Sequence, residues 1–172
     1  MRYIMPLLVV VLVLLAACGK SDTAQSRTPE QLGETMLRAL ESEDFPRLQE
    51  TFTDAETYQS YCNEMTARFH HEVNPGFKSE SYPGRIAETR TAFERIRTTS
   101  AERFGFDWSA AVLVTVSLSE HITELEGFTD HSGMDILFRA NDTDYRISTY
   151  GAVRTADGEL LLKPGRFWLV KQ

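Results

Sequence analysis

Few motifs of known chemistry occur in this chain of 172 residues. It has no Gly-x-Ser-x-Gly turn around a nucleophilic serine, no glycine-rich phosphate loop and no Cys-x-x-Cys pair. Internal repeats and low-complexity segments are absent as well. We therefore expect no cofactor and no catalytic residue, and we predict that the protein is not an enzyme.

Positive charge is also scarce. Asp and Glu number 25 against 18 Lys and Arg, which gives a formal net charge of -7. A negative protein is repelled by the phosphates of nucleic acids and by anionic lipid headgroups. The charge argues against nucleic acid as a partner, and it suits a domain that stands clear of a membrane surface.

The chain has no apolar run long enough to span a bilayer as a helix, which takes roughly 20 residues. Its apolar run from Leu7 to Leu15 follows Met1-Arg2 and is closed by the small pair Ala16-Ala17. A positive start, a short apolar stretch and a small-residue end are the three parts of a secretory signal peptide. We predict that residues 1–17 are a signal peptide that is removed.

Cysteine directly follows this signal. Leu15-Ala16-Ala17-Cys18 resembles the lipobox of bacterial lipoproteins. The resemblance implies a diacylglyceryl group on the Cys18 thiol, cleavage between Ala17 and Cys18, and often acylation of the new amino terminus by a fatty acid such as palmitate. Gly19 stands where an Asp tends to retain such lipoproteins in the inner membrane. We therefore expect an anchor in the inner leaflet of the outer membrane, facing the periplasm, if the source is Gram-negative. The alternative is a soluble secreted protein in which Cys18 has no role.

The chain has two cysteines, so acylation of Cys18 would leave Cys62 without an intramolecular disulfide partner. Stability must then come from packing. Tyr58, Tyr61 and Met65 recur on the same helical stripe as Cys62, which predicts an inert core residue. The alternative is a reactive thiol, which would need a basic and partly exposed setting.

The first part of the mature chain has the signals of a tether followed by helices. Residues 18–27 are mostly polar and indicate a flexible tether, and residues 28–172 fit a single domain. Helix starts are predicted at Thr28-Pro29-Glu30-Gln31, which has a capping box, at Asp44-Phe45-Pro46 and at Thr53-Asp54. Breakers at Asn74-Pro75-Gly76 and Ser81-Tyr82-Pro83-Gly84 precede a fourth helix, predicted over Arg85 to Phe104.

In the second part the apolar period changes from helical to alternating. Strands are predicted over Ala110 to Ser119, Met134 to Ala140, Tyr145 to Arg154 and Glu159 to Val170. Short connections make neighbours antiparallel, so these strands form a meander of four strands or slightly more. Helices followed by an antiparallel sheet with one apolar face give an α+β fold in which the helices cover that face.

This order resembles the NTF2-like and cystatin-like superfamilies. The similarity rests on the opening helix at Thr28, the restart at Asp44, the late hairpins and the closing strand Arg166 to Val170. It implies a curved sheet that wraps the helices into a cone, whose pocket can hold acid or base chemistry. Asp107, Asp135 and Tyr150 are the candidate members of such a pocket. The helix over Arg85 to Phe104 is an addition to that pattern.

The acidic segment Glu120 to His131, which we predict to be a loop between paired strands, is the main candidate for a binding site. His121, Glu124 and His131 could hold a divalent cation, although their spacing fits neither a calcium loop nor a zinc site, so no metal is predicted. As a partner surface the segment would offer Glu120, Glu124, Phe128 and Asp130.

Two other candidates are weaker. His70 and His71 point about 100° apart on a helix, so we expect them to stabilise its carboxyl end and not to share a metal. The fourth helix has an arginine-rich face, which is either solvated or binds an anion. That face consists of Arg85, Arg90, Arg95, Arg97 and Arg103.

Together these features predict a lipid-anchored, non-enzymatic binding module of the cell envelope that takes an envelope protein or a small ligand. One alternative is a pocket enzyme of the NTF2-like kind, an acid/base lyase, isomerase or hydrolase. Another is an immunity-type lipoprotein that inhibits a toxin or hydrolase.

Overall fold

A computed structural model of the chain describes residues 26–69 and 82–172. The predicted signal peptide, Cys18, most of the tether, His70, His71 and the breaker at Asn74 lie outside the described residues. The described residues form four α-helices followed by antiparallel β-sheets, which confirms the predicted α+β class.

The helices and helical turns come first in the chain. They are α1 (Pro29–Ser42), α2 (Phe45–Gln49), α3 (Ala55–Phe69) and α4 (Tyr82–Thr99), then a turn of π-helix (Ser100–Phe104) and a 3-10 turn (Trp108–Ala110).

The first three helices begin where their capping residues predict. Thr28 and Gln31 form a capping box at α1, in which the Gln31 N–H donates to Thr28 Oγ1 at 3.3 Å. Asp44 Oδ1 accepts the Arg47 N–H at 3.0 Å at the start of α2. Asp54 Oδ1 accepts the Thr57 N–H at 2.7 Å at the start of α3. Each carboxylate or hydroxyl satisfies a backbone donor that the helix itself leaves unbonded.

The start of α4 differs from the prediction. Tyr82, Pro83 and Gly84 belong to its first turn and do not form a breaker before Arg85. Proline fits the first turn of a helix because its missing N–H would have no intrahelical partner there. The carboxyl end passes into the π-helical turn and stops at Gly105, whose φ of 68° is the left-handed conformation common after helices.

In the part of the chain that the structure describes, eight β-strands form two four-stranded sheets. Sheet I has the order β1-β4-β5-β8 and sheet II has the order β2-β3-β6-β7, with antiparallel neighbours throughout. The strands are β1 (Val112–Leu118), β2 (Ile122–Glu124), β3 (Phe128–His131), β4 (Met134–Ala140), β5 (Thr143–Thr149), β6 (Ala152–Thr155), β7 (Leu160–Leu162) and β8 (Phe167–Lys171).

The two sheets are the two halves of one meander. β1 continues into β2, β3 into β4, β5 into β6 and β7 into β8, each across a break of two to four residues. The strand order in the two sheets is equivalent, and all four predicted strands are present. β2 and β3 extend the first two beyond their predicted bounds, and each of the last two is divided into two strands at a bend. The acidic segment Glu120 to His131 is not a loop, because most of it forms the β2–β3 hairpin.

Two apolar clusters lie on the sheets. The larger joins α1, α2 and α4 to sheet I and also includes Ala152, Leu160 and Leu162 of sheet II. Its rings pack against one another at centroid separations between 4.6 and 5.8 Å, and they are Phe106, Trp108, Phe138 and Tyr145. The smaller joins α3 to sheet II through Tyr58, Tyr61, Cys62, Met65, Phe128, Val153 and Leu161. The space that a cone pocket would occupy next to sheet I is thus filled with side chains.

Helix α1 packs closely on β1 at Gly33, and substitution of this glycine tests that contact. A Cβ added there would lie 2.5 Å from Val116 Cγ2, whereas a Cβ at Gly84 in α4 would meet no atom within 4 Å. Helix propensity alone favours alanine over glycine by about 1 kcal/mol at both positions. We expect Gly84→Ala to be neutral or stabilising and Gly33→Ala to lower the free energy of unfolding by about 1–3 kcal/mol. Urea unfolding of both variants measures this, and a stabilised Gly33→Ala protein would contradict the close packing.

Candidate functional site

One cleft of the described residues has a volume of about 790 Å³. It lies between the α2–α3 connection, the start of α4 and the β6–β7 turn, and we call it the acidic cleft. Its aromatic residues are Phe52, Tyr82 and Phe128, and its charged residues are Arg27, Glu50, Asp54, Glu56, Asp157 and Glu159. Five carboxylates against one guanidinium give the cleft a negative potential.

Hydrogen bonds hold two side chains of the acidic cleft in place, those of Asp157 and Tyr82. Asp157 lies in the β6–β7 turn, where its carboxylate accepts the Thr155 hydroxyl. That hydrogen bond holds the pKa of Asp157 below its usual value, so the group is charged at neutral pH. The Tyr82 hydroxyl donates to the Thr53 carbonyl at 2.8 Å. Burial raises the pKa of Tyr82, which therefore stays neutral.

The chain enters the described domain at the rim of this cleft. Arg27 Nη1 lies 3.0 Å from Glu159 Oε1, and the Ser26 hydroxyl donates to the Gly158 carbonyl. Arg154 Nη1 donates to the same carbonyl at 2.9 Å. The last two residues of the predicted tether are therefore attached to the β6–β7 turn beside the acidic cleft.

A second polar group lies inside the protein. Lys163 Nζ is 2.5 Å from Asp130 Oδ1, and the Tyr61 hydroxyl donates to Asp130 Oδ2 at 3.1 Å. The Lys163 and Asp130 side chains are only 4% and 7% exposed. The ammonium faces the rings of Tyr61 and Tyr150, whose centroids are 5.7 and 5.6 Å away.

The bends of the strands bring these residues together. Lys163 follows β7, and its backbone N–H donates to the Gly151 carbonyl at 3.0 Å. Gly151 has a φ of 115°, and a Cβ there would lie 2.1 Å from the His131 carbonyl and 3.0 Å from Lys163 Cε. Only glycine fits this position. Asp130 is buried with Phe128 because alternate residues of β3 face inward.

Burial controls the protonation of this region. It lowers the pKa of Lys163, against the opposing attraction of Asp130. Burial and the Asp130 charge both raise the pKa of Tyr61. Burial also raises the pKa of Cys62 to about 11. Cys62 is 3% exposed, as its helical stripe predicts, and at neutral pH it is a thiol.

The structure separates the members of the predicted partner surface. Glu120 and Glu124 are exposed, and Glu124 Oε2 accepts the Thr129 hydroxyl at 2.9 Å. Phe128 is 9% exposed and lines the acidic cleft, while Asp130 is 5% exposed and bonded to Lys163. Neither Phe128 nor Asp130 lies on the outer surface of the hairpin, because both point toward α3.

The weak metal candidates do not form a site. His121 is exposed before β2, Glu124 ends that strand, and His131 Nδ1 lies 3.4 Å from the Ser119 carbonyl. In residues 26–69 and 82–172, no three His, Cys, Asp or Glu side chains are grouped so that they could hold a metal ion.

The three residues predicted for a cone pocket, Asp107, Asp135 and Tyr150, do not form one group. Asp107 caps the 3-10 turn by accepting the Ser109 N–H at 2.8 Å. Asp135 pairs with Arg146 at 3.4 Å across β4 and β5. Of the three, Tyr150 alone joins the buried group around Lys163.

Each arginine of the α4 face contacts a protein group. Arg85 pairs with Glu88, Arg90 lies over the Phe45 ring, Arg95 donates to the Phe167 carbonyl, Arg97 pairs with Glu43 and Glu94, and Arg103 lies over the Phe104 ring. These contacts give the face a packing role, which lessens the case for an anion site there.

The buried Lys163–Asp130 pair was not anticipated from the sequence. One feature of the sequence points to a buried lysine, because Lys163 directly follows the apolar run Leu160-Leu161-Leu162. The alternation of the strand does not show which residue would pair with it. Aspartate at position 130 is hidden among the other acidic residues of its segment.

Comparisons with known proteins give no relative: no protein family, curated protein or solved structure matches the chain. Among the helices that the structure describes, none is both long enough and apolar enough to cross a membrane.

Cys62 provides a pH test of the α3–sheet II cluster. Burial raises the pKa of the Cys62 thiol from its ordinary value of 9.0 to about 11, so the unfolded state loses its proton first as pH rises. The free energy of unfolding should therefore fall as pH rises above 9, and this part of the fall should be absent in Cys62→Ala. Urea unfolding of both proteins between pH 8 and pH 10 measures it, as a slope that differs between them. Equal slopes would show that the Cys62 thiol is as accessible to water when folded as when unfolded.

Proposed function

We propose that this protein is a lipid-anchored domain of the cell envelope that binds a cationic ligand, or a basic patch of an envelope protein, in the acidic cleft. The lipobox-like Leu15-Ala16-Ala17-Cys18 supports the anchor. The proposed location is the inner leaflet of the outer membrane, facing the periplasm. The role is binding, without a chemical reaction.

The observation that carries this proposal is the position of Ser26 and Arg27 at the rim of the cleft. Ser26 is eight residues after Cys18, and a fully extended chain of that length reaches about 28 Å. A lipid on Cys18 would therefore hold the acidic cleft close to the bilayer. Tethering of this kind raises the effective concentration of a binding site toward partners at the same membrane.

The chemistry of the cleft favours positive charge in the ligand. Its volume falls within the range of about 300–1,000 Å³ that is usual for ligand pockets. Five carboxylates attract an amine or a guanidinium, and aromatic faces such as those of Phe52 and Tyr82 add cation–π attraction. Arg27, already paired with Glu159, neutralises only part of this charge.

The enzyme alternative has one supporting feature, the buried Asp130 against the Tyr61 hydroxyl. Neither residue lines the acidic cleft, and both are buried where α3 packs on sheet II. The immunity-type alternative is supported by the exposed carboxylates of Glu120 and Glu124, which a basic protein partner could contact. A stoichiometric protein partner recovered by crosslinking from the envelope would favour it over a small ligand.

The anchor is tested by Cys18→Ser in the full chain. Each buried methylene contributes about 0.8 kcal/mol to membrane affinity, so two or more acyl chains hold a protein to a bilayer almost permanently. We expect the parent protein to sediment with membranes and to incorporate labelled palmitate, and Cys18→Ser to do neither. A Cys18→Ser protein that sediments with membranes as the parent does would contradict lipidation at this residue.

The cleft is tested with a tri-lysine peptide as the cationic probe. Replacing Glu50 and Glu56 with Gln removes two charges from the cleft, and replacing Glu34 and Glu41 removes two from the exposed face of α1. We expect the first double variant to bind the peptide about five- to tenfold more weakly in calorimetry at low salt, and the second to bind nearly as the parent does. Equal weakening in both would mean that the peptide responds to net charge and not to the cleft.

A further inference from the structure

The buried ammonium of Lys163 makes fewer hydrogen bonds to the described residues than it has N–H donors. It has three N–H donors. Asp130 Oδ1 at 2.5 Å is its one hydrogen-bond acceptor among the described residues, and its other neighbours include the rings of Tyr61 and Tyr150. A buried ion pair offsets its desolvation only when its remaining hydrogen bonds are also made. The ionic form of this pair therefore leaves donors without partners.

From this geometry we propose that Lys163 and Asp130 are a modification site, at which the two side chains condense after folding into an intramolecular amide, or isopeptide, bond. The amide suits its surroundings better than the ion pair does. It has one carbonyl and one N–H and no charge, and the Tyr61 hydroxyl already lies 3.1 Å from the oxygen that would become the carbonyl. The single N–H would face the tyrosine rings.

The condensation needs no external reagent. A proton passes from the ammonium to the carboxylate, which removes both charges from a site where burial penalises them. The Nζ lone pair then attacks Asp130 Cγ, and the C–Oδ1 bond breaks. Of the three ammonium protons, one stays on the amide nitrogen and two leave with Oδ1 as water. Nothing is oxidised or reduced.

Neighbouring residues support this step. The Tyr61 hydroxyl donates to Oδ2 and would stabilise the negative charge that develops there during the attack, as an oxyanion hole does. The missing side chain at Gly151 leaves room for the Lys163 stem, since a Cβ there would lie 3.0 Å from Cε. Side chains that are 4% and 7% exposed exclude water, which would otherwise reverse the reaction.

The bond would crosslink parts of the sheet that are not adjacent. Asp130 lies in β3 and Lys163 follows β7, with β6 between them in sheet II, and 33 residues separate them in the chain. Closing such a loop restricts the unfolded chain, which is how a disulfide stabilises a fold. The amide would restrict the unfolded chain as a disulfide does, in a chain that has two cysteines, of which Cys62 is a buried thiol.

Peptide mass spectrometry of the full chain tests the bond. After denaturation, trypsin cuts after Arg103, Arg139, Arg154 and Arg166, so Asp130 falls in segment 104–139 and Lys163 in segment 155–166. We expect one species that contains both segments and is lighter than their sum by one water. Two separate segments at full mass from the parent protein would overturn the proposal, because the pair would then be ionic only.

Matched variants assign the attachment points. Lys163→Arg and Asp130→Ala should abolish the joined species. Lys171→Arg, at an exposed lysine, and Asp135→Ala, in the same tryptic segment as Asp130, should retain it. A joined species that persists in Lys163→Arg or Asp130→Ala would contradict the assignment. If either variant fails to fold, the mass spectrum of the parent protein alone decides whether the amide bond is present.

Discussion

The contact between Lys163 and Asp130 is the constraint on which the rest of the structure depends. It connects the bend after β7 to β3, and through the Tyr61 hydroxyl it connects both to α3. These groups are withdrawn from water, so removing any one of them leaves a buried polar atom unpaired. The side chain of Lys163 requires Gly151 beside it, and the bend between β5 and β6 is placed accordingly.

Two apolar clusters of the described residues pack on the bent meander. The larger joins α1, α2 and α4 to sheet I and to Ala152, Leu160 and Leu162 of sheet II, while the smaller joins α3 to sheet II. The α2–α3 connection joins the two regions, since the Thr53 N–H donates to the Leu162 carbonyl at 3.1 Å and the Leu162 N–H donates to the Thr51 carbonyl at 2.8 Å. This connection carries Phe52 and Asp54, so the acidic cleft arises where the two packing regions meet.

Local signals in the sequence predicted local structure well. The capping residues Thr28, Asp44 and Asp54 act within a few positions of their own helices, and apolar alternation placed the four runs of the meander. The start of α4 was missed because Pro83 can either break a helix or begin one. The β2–β3 hairpin was missed because β2 has three residues, too few for alternation to be read through the surrounding charges.

The candidate site depended on contacts that no local pattern contains. Lys163 and Asp130 are 33 residues apart, and the acidic cleft combines residues from the beginning, the middle and the end of the domain. The residues predicted for a partner surface therefore do not share one face, because Glu120 and Glu124 are exposed and Asp130 is buried. The sequence predicts the function less directly than the fold, because the proposed binding role rests on the charge and position of the acidic cleft and not on a sequence motif.

Our central claim is an anchored domain, attached through Cys18 beside its cleft and closed internally at Lys163. The intact mass of protein extracted from envelope membranes tests it most directly. We predict a chain that begins at Cys18, is heavier by its acyl groups and is lighter by one water. A chain that retains residues 1–17, one that begins at Cys18 with no added lipid, or one that carries its acyl groups without the loss of one water would contradict the claim.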